Sequence, residues 1–247
     1  MAWVRLEWGP RAIDVFEVWA DIVVVVDVLS FSTAVDVAVS RGASVLPCAG
    51  DQAAAERLDQ EFAACVAVPR GDMSKTRPYS LSPGSLAALP GGTTLVLASP
   101  NGATLTAALA SPGPVVVAGC LRNATTVGAY AASVGSRIGV LAAGERWSDG
   151  SPRPAFEDLV GAGAVIAATG AAERSPEAAA AAAVYADAAV DLYERLSDCM
   201  SGRELCSGGY SADIAWAAEV DVSRSVPLLV EGRYVASADG SATAVPR

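Results

Sequence analysis

Residues 22–33 read Ile22-Val23-Val24-Val25-Val26-Asp27-Val28-Leu29-Ser30-Phe31-Ser32-Thr33. Five β-branched residues in succession suit a strand buried on both faces, as inside a parallel sheet covered by helices on either side. The run stops at a carboxylate. Ser32 and Thr33 then offer side-chain oxygens that can cap a helix reaching about Arg41, where Gly42 stops it. Strand, polar turn and helix form the repeating unit of this chain.

Further strands are expected over 43–47, 65–68, 94–98, 115–118 and 138–142, and helices over 51–62, from 103 to about 109, over 122–133 and over 154–169. Ser175-Pro176-Glu177 combines a cap, a proline in the first turn and an acid near the positive end of the helix dipole. It predicts one long helix to about Met200, ended by Gly202. A short helix near 214–219 and a strand pair at 228–230 and 234–236 close the chain. At the N-terminus Trp3, Arg5 and Glu7 alternate with Val4, Leu6 and Trp8, and a Gly9-Pro10 turn leads to 15–19. That pattern reads as a hairpin or two adjacent edge strands. The alternation argues for an α/β fold, a three-layer α/β/α arrangement with a mostly parallel or mixed central sheet. A single domain over 1–247 is expected, with a weak boundary only near 170–176.

Composition narrows the chemistry. Hydrophobic residues make up 52% of 247 and charged residues 18%, which fits a large core. A net charge of −10 argues against general nucleic-acid binding, though local arginines and helix N-termini can still hold a small anion. No apolar run reaches the roughly 18 residues of a membrane span, and the first ten residues lack a signal-peptide pattern. The five cysteines (48, 65, 120, 199 and 206) are scattered without a CxxC pair, so reduced thiols and a cytoplasmic location are expected. There is no histidine. Ser-His-Asp and Cys-His catalysis, phosphohistidine and nearly all catalytic zinc sites are thereby removed.

Ligands of open α/β sheets bind at the carboxyl ends of strands, and four segments place polar residues there. Asp27 ends the valine run, where a carboxylate is costly without a partner or a task; with Ser30, Ser32 and Thr33 it either caps the next helix or seats a phosphate. Ser99-Pro100-Asn101-Gly102 is a plain turn or a substrate contact. Gly119-Cys120-Leu121-Arg122-Asn123 either caps a helix or brings Arg122 to an anion. Gly144-Glu145-Arg146 precedes Glu157-Asp158, which complement a helix dipole or supply the oxygen ligands that magnesium prefers. The loop 70–77 carries Arg70, Lys75 and Arg77, as a solvated loop or as a lid over an anionic substrate. A GxxxxGK[ST] loop, a cysteine-phosphatase spacing, a DxD pair at 27 and 29 and a complete GxGxxG are all absent.

In this order the segments resemble the 2-phosphosulfolactate phosphatase family of coenzyme M biosynthesis, over about residues 22–170. The matching stretches are Asp27-Val28-Leu29-Ser30 with Ser32-Thr33, Ser99 to Thr104, Gly119 to Ala124, Gly144-Glu145-Arg146, and Glu157-Asp158-Leu159-Val160-Gly161-Ala162-Gly163. The resemblance implies a magnesium-dependent hydrolase that releases phosphate from 2-phospho-3-sulfolactate. It implies Asp27, Glu157 and Asp158 as catalytic or Mg2+-binding residues. It implies Asn101 and Asn123 as contacts to phosphate or substrate oxygens; Ser30, Ser32, Thr33, Arg70, Gly102, Arg122, Glu145 and Arg146 complete the expected contacts to a small anionic phosphate ester. Two departures fall beside the expected anion site: Ser30 stands where the family has arginine, and the loop 69–83 lacks the family's Glu and Asn. A non-catalytic binder of a small anionic metabolite is the competing reading. Trp3, Trp8 and Trp19 belong to the core or to a dimer edge.

Overall fold

A computed structural model of the chain describes residues 2–49, 54, 55, 57, 58, 62, 64–109 and 113–237. In chain order the strands are β1 (Trp3–Trp8), β2 (Ile22–Val26), β3 (Ser44–Cys48), β4 (Cys65–Val66), β5 (Thr94–Ala98), β6 (Val115–Gly119), β7 (Arg137–Ala142), β8 (Glu145–Arg146), β9 (Pro152–Arg153), β10 (Glu173–Arg174), β11 (Pro227–Val230) and β12 (Arg233–Ala236). The helices are α1 (Ala12–Trp19), α2 (Phe31–Ser40), α3 (Pro83–Leu86), α4 (Gly102–Ala108), α5 (Ala124–Val134), α6 (Phe156–Ala168), α7 (Pro176–Ala188), α8 (Leu192–Asp198), α9 (Met200–Ser207) and α10 (Ser211–Ala217).

One ten-stranded sheet runs in the order β10-β1-β7-β2-β6-β11-β12-β3-β5-β4. Two parallel blocks, β10-β1-β7-β2-β6 and β3-β5-β4, are joined by the antiparallel hairpin β11–β12. β2 lies inside the first block between β7 and β6, and all five of its residues are buried. Ile22, Val24 and Val26 pack under α5 and α6. Val23 and Val25 pack on the opposite face with Phe16 of α1 and Leu105 of α4. The unbroken valine run therefore fills two cores at once, giving the expected three layers.

Two segments depart from expectation. Residues 12–19 form α1, not a partner strand, because the buried positions follow a helical period. Ala12, Ile13 and Phe16 face inward while Val18 is 85% exposed. β1 has no hairpin partner and pairs in parallel with β7 along all six residues. The long helix expected from Pro176 to about Met200 is two, α7 and α8, and a third, α9, starts where it was to end. Cys199 caps α9 by accepting the Gly202 amide at its Sγ. Gly202 lies inside α9, where an added Cβ would collide with the Leu196 carbonyl. It provides clearance between helices instead of ending one. Most of the helix expected over 51–62 lies outside the described residues. No described helix is long and apolar enough to cross a membrane.

Candidate active site

Asp27 follows β2 directly and is 6% exposed. Its Oδ2 accepts the Gly102 amide at 2.8 Å and the Ser99 hydroxyl at 3.5 Å, and its Oδ1 accepts the Phe31 amide at 3.2 Å. The carboxyl end of β5 is thus brought onto the carboxyl end of β2. Ser32 and Thr33 are fully buried and hold the turn: the Ser32 hydroxyl donates to the Asp27 carbonyl at 2.8 Å, and Thr33 donates to the Val28 carbonyl at 2.8 Å. The structure directs both hydroxyls to backbone carbonyls. Gly102 lets the α4 N-terminus approach closely, since a Cβ there would meet the Phe31 ring and the Asp27 carboxylate. Gly102→Ala is expected to cost about 1–3 kcal/mol by overpacking and to displace Asp27. Thermal melting and any phosphoryl chemistry at Asp27 should both suffer.

Three more carboxylates stand close by. Asp158, 3% exposed in the first turn of α6, accepts the Val28 amide at 2.7 Å on one oxygen and the Gly144 amide at 2.8 Å on the other. It pins α6 to the ends of β2 and β7. Glu157, 2% exposed, accepts a hydrogen bond from the Cys199 thiol at 3.3 Å. Glu145 opens the β8–β9 hairpin and accepts the Asn101 side-chain amide at 2.9 Å. Burial raises the Asp27 carboxyl to about 6, with the Glu157 charge adding to the effect. Burial, then Asp27 and Glu157, raise Glu145 to about 7. Burial also raises Asp158, helped by the same two neighbours. Burial, then Glu157, pushes the Cys199 thiol up to about 12, so it is a neutral donor. Among the described residues no Lys or Arg forms a salt bridge with Asp27, Glu157 or Asp158.

Asp27, Ser30, Arg70, Ser99, Asn101 and Glu145 line one cleft of about 590 Å³. Arg70 is the cation of its wall. Its Nη2 donates to the Ser30 hydroxyl at 2.9 Å, and its Nε to Ser82 at 3.2 Å and Asp213 at 2.8 Å. Its guanidinium carbon lies 5.7 Å from the Tyr210 ring. A larger and more open cleft of about 860 Å³ lies along α8 between Arg153 and Met200. No end of a long parallel strand reaches it, and the carboxylate group opens onto the smaller one.

The remaining expected contacts lie elsewhere. Arg122 is 8% exposed and pairs with Asp36 at 3.2 Å and with Glu219; it also donates to the Trp216 carbonyl at 3.1 Å. Asn123 accepts the Cys120 amide at 2.9 Å and folds the turn after β6. Neither side chain reaches the cleft, because closer internal partners engage both. Arg146 is exposed and donates to the Gly150 carbonyl at 3.3 Å. The lid residues Lys75 and Arg77 are exposed and do not line the cleft. Sequence reading missed Glu204, Tyr210 and Asp213. They sit in ordinary helix and loop contexts, and no local motif marks them.

Among the described residues no group of three or more Cys, Asp or Glu side chains is close enough to cage a metal ion. Glu157 and Asp158 do not line the cleft, and the carboxylates that reach it beside the strand ends are Asp27 and Glu145. Magnesium commonly takes one or two carboxylates and completes its shell with water and substrate phosphate. The donor set fits that mode and not an all-protein site.

A family model described as 2-phosphosulpholactate phosphatase matches residues 12–232. No curated protein matches the chain.

Proposed function

This chain belongs to the 2-phosphosulpholactate phosphatase family, and from that membership we propose that it hydrolyses a small phosphate ester, with magnesium, in the cleft of Asp27, Glu145, Asn101, Ser30 and Arg70. The family is one of phosphatases, so the chain is a phosphoric monoester hydrolase. One observation supports the metal-dependent reading most. Asp27, Glu157 and Asp158 are packed together below 10% exposure, and among the described residues none has a cationic side chain to balance it. Buried charge of one sign is costly unless paired or neutralised by an ion.

In this reading Asp27 and Glu145 hold the ion, with Glu157 behind them. When bound, it would neutralise phosphoryl oxygens and orient the ester. Asn101 keeps Glu145 turned toward the cleft. Arg70 reaches the Ser30 hydroxyl, and both face the anion from the opposite wall. Asp27 Oδ1 and Oδ2 are anchored by amides, so the carboxylate keeps its position whether or not it carries a proton. The test is phosphate release from a panel of small esters, with 2-phospho-3-sulfolactate as reference, in magnesium and in chelator. Release abolished by chelator and restored by magnesium is expected. Equal rates in both would sink the metal role.

The same carboxylates set a pH dependence of stability. Asp27, Glu145 and Asp158 all have carboxyl groups raised in the folded state. The native protein therefore holds protons that the unfolded chain has released, and stability falls as pH rises from about 4 to about 7. In chelator, Tm should be lower at pH 7.5 than at pH 5.5. Magnesium should raise Tm at pH 7.5 far more than at pH 5.5. A flat or rising profile in chelator would remove the repulsion argument.

A further inference from the structure

Besides strand ends, the cleft is lined by α9 and the turn after it, through Ser201, Glu204 and Tyr210. Its charged lining residues are Asp27, Glu145 and Glu204 against Arg70 alone. Arg70 is itself paired with Asp213 at 2.8 Å. Arg146 and Arg153 do not line the cleft: Arg146 donates to the Gly150 carbonyl, and Arg153 lies over the Trp147 ring at 5.6 Å, from where its charge acts on Glu145. Glu204 on α9 is exposed at the cleft rim and, among the described residues, forms no salt bridge. A second observation points to a ligand here. The Ser201 hydroxyl is buried, in a residue only 4% exposed, and has no hydrogen-bond partner among the described residues. A buried polar atom left unpaired is costly, and a serine hydroxyl can both donate and accept.

Building on the phosphatase reading, we propose that the α9 wall is the subsite for the non-phosphate end of the substrate. It selects small phosphate esters whose far end donates hydrogen bonds, a hydroxyl or an ammonium group, over esters carrying a second strong anion. Glu204 accepts from such a group at the rim, and Ser201 and Tyr210 offer further hydrogen-bonding hydroxyls. A sulfonate would meet Glu204 with like charge and gain no free cation in return, since Arg70 is shared with Asp213.

The full chain in magnesium is assayed with glycerol 3-phosphate, O-phosphoethanolamine and 2-phospho-3-sulfolactate, with p-nitrophenyl phosphate reporting the phosphoryl step alone. At least one of the first two should exceed the sulfonate ester tenfold or more in kcat/KM. Which of them leads separates hydroxyl from ammonium. Glu204→Gln should reduce the ammonium-over-sulfonate ratio about tenfold, through KM, and Glu204→Lys should shift the ratio toward the sulfonate ester. A parent enzyme that prefers the sulfonate ester, or a ratio unmoved in both variants, would overturn the subsite. If no ester is turned over, p-nitrophenyl phosphate included, the phosphatase reading fails separately. Calorimetric binding of the same three esters then decides the subsite: tightest binding by the sulfonate ester overturns it, and tightest binding by a donor ester, weakened in Glu204→Gln, supports it.

Discussion

Asp27→Asn is expected to lower kcat for phosphate release by about 10²-fold or more, since a bound ion supplies several kcal/mol of transition-state charge stabilisation, while Tm in chelator shifts by only a few degrees. The two effects separate for a physical reason. As a carboxylate, Asp27 is destabilised by burial and by Glu157, so neutralising it removes a cost to folding. Against that, Asn keeps one acceptor oxygen where Asp27 has two, each taking an amide N–H from Phe31 or Gly102. One hydrogen bond is weakened and one repulsion is relieved. Catalysis has no such offset, because the amide cannot take a proton and is a poor magnesium ligand. Phosphate release and thermal melting on the same preparation check both halves. Unchanged release in the variant would clear Asp27 of an essential role.

Arg122→Ala should be the most damaging substitution to stability outside the cleft, costing roughly 3–5 kcal/mol as expected for breaking a buried ion pair from one side. Asp36 is 0% exposed, accepts the Ser223 hydroxyl at 2.6 Å and pairs with Arg122 at 3.2 Å. Removing the guanidinium strands that carboxylate in the core between α2 and the turn after β6. It also removes the cation stacked 4.9 Å from the Trp216 ring centre and the donor to the Trp216 carbonyl. For a chain of this length about 1 kcal/mol corresponds to 2–4 °C, so Tm should fall by roughly 6–20 °C. KM for any ester should hold near the parent value in the fraction that stays folded. A substrate arginine would behave in the opposite way, with KM rising steeply and Tm little changed, so denaturation and steady-state kinetics together assign the residue.

Much of this architecture was legible because its signal is local. The run 22–26 alternates its side chains between two cores, a property of the strand itself that holds whatever its neighbours are. Asp27, at the end of that run, falls at the carboxyl end of an interior strand. The segments at 99–102 and 144–145 also come off strand ends, and the fold brings both to it. Where local pattern misled, a second period was hidden. Val15 and Val18 look like strand residues, yet they are the exposed side of α1. Gly202 resembles a terminator but sits inside α9 because two helices pass closely there.

By itself, then, the sequence determined the layers, the strand–turn–helix units, the family and the place of Asp27, because each depends on apolar periodicity or residue order within a few turns of chain. Only the tertiary structure decided which charges meet. Arg70 finds Asp213 from 143 positions away, and Arg122 finds Asp36 from 86. An arginine's attraction has no direction along the chain. It is settled by whichever carboxylate the sheet order and helix packing carry into the same low-dielectric space. That is why two arginines of equal promise in the sequence end as one in the cleft and one in the core.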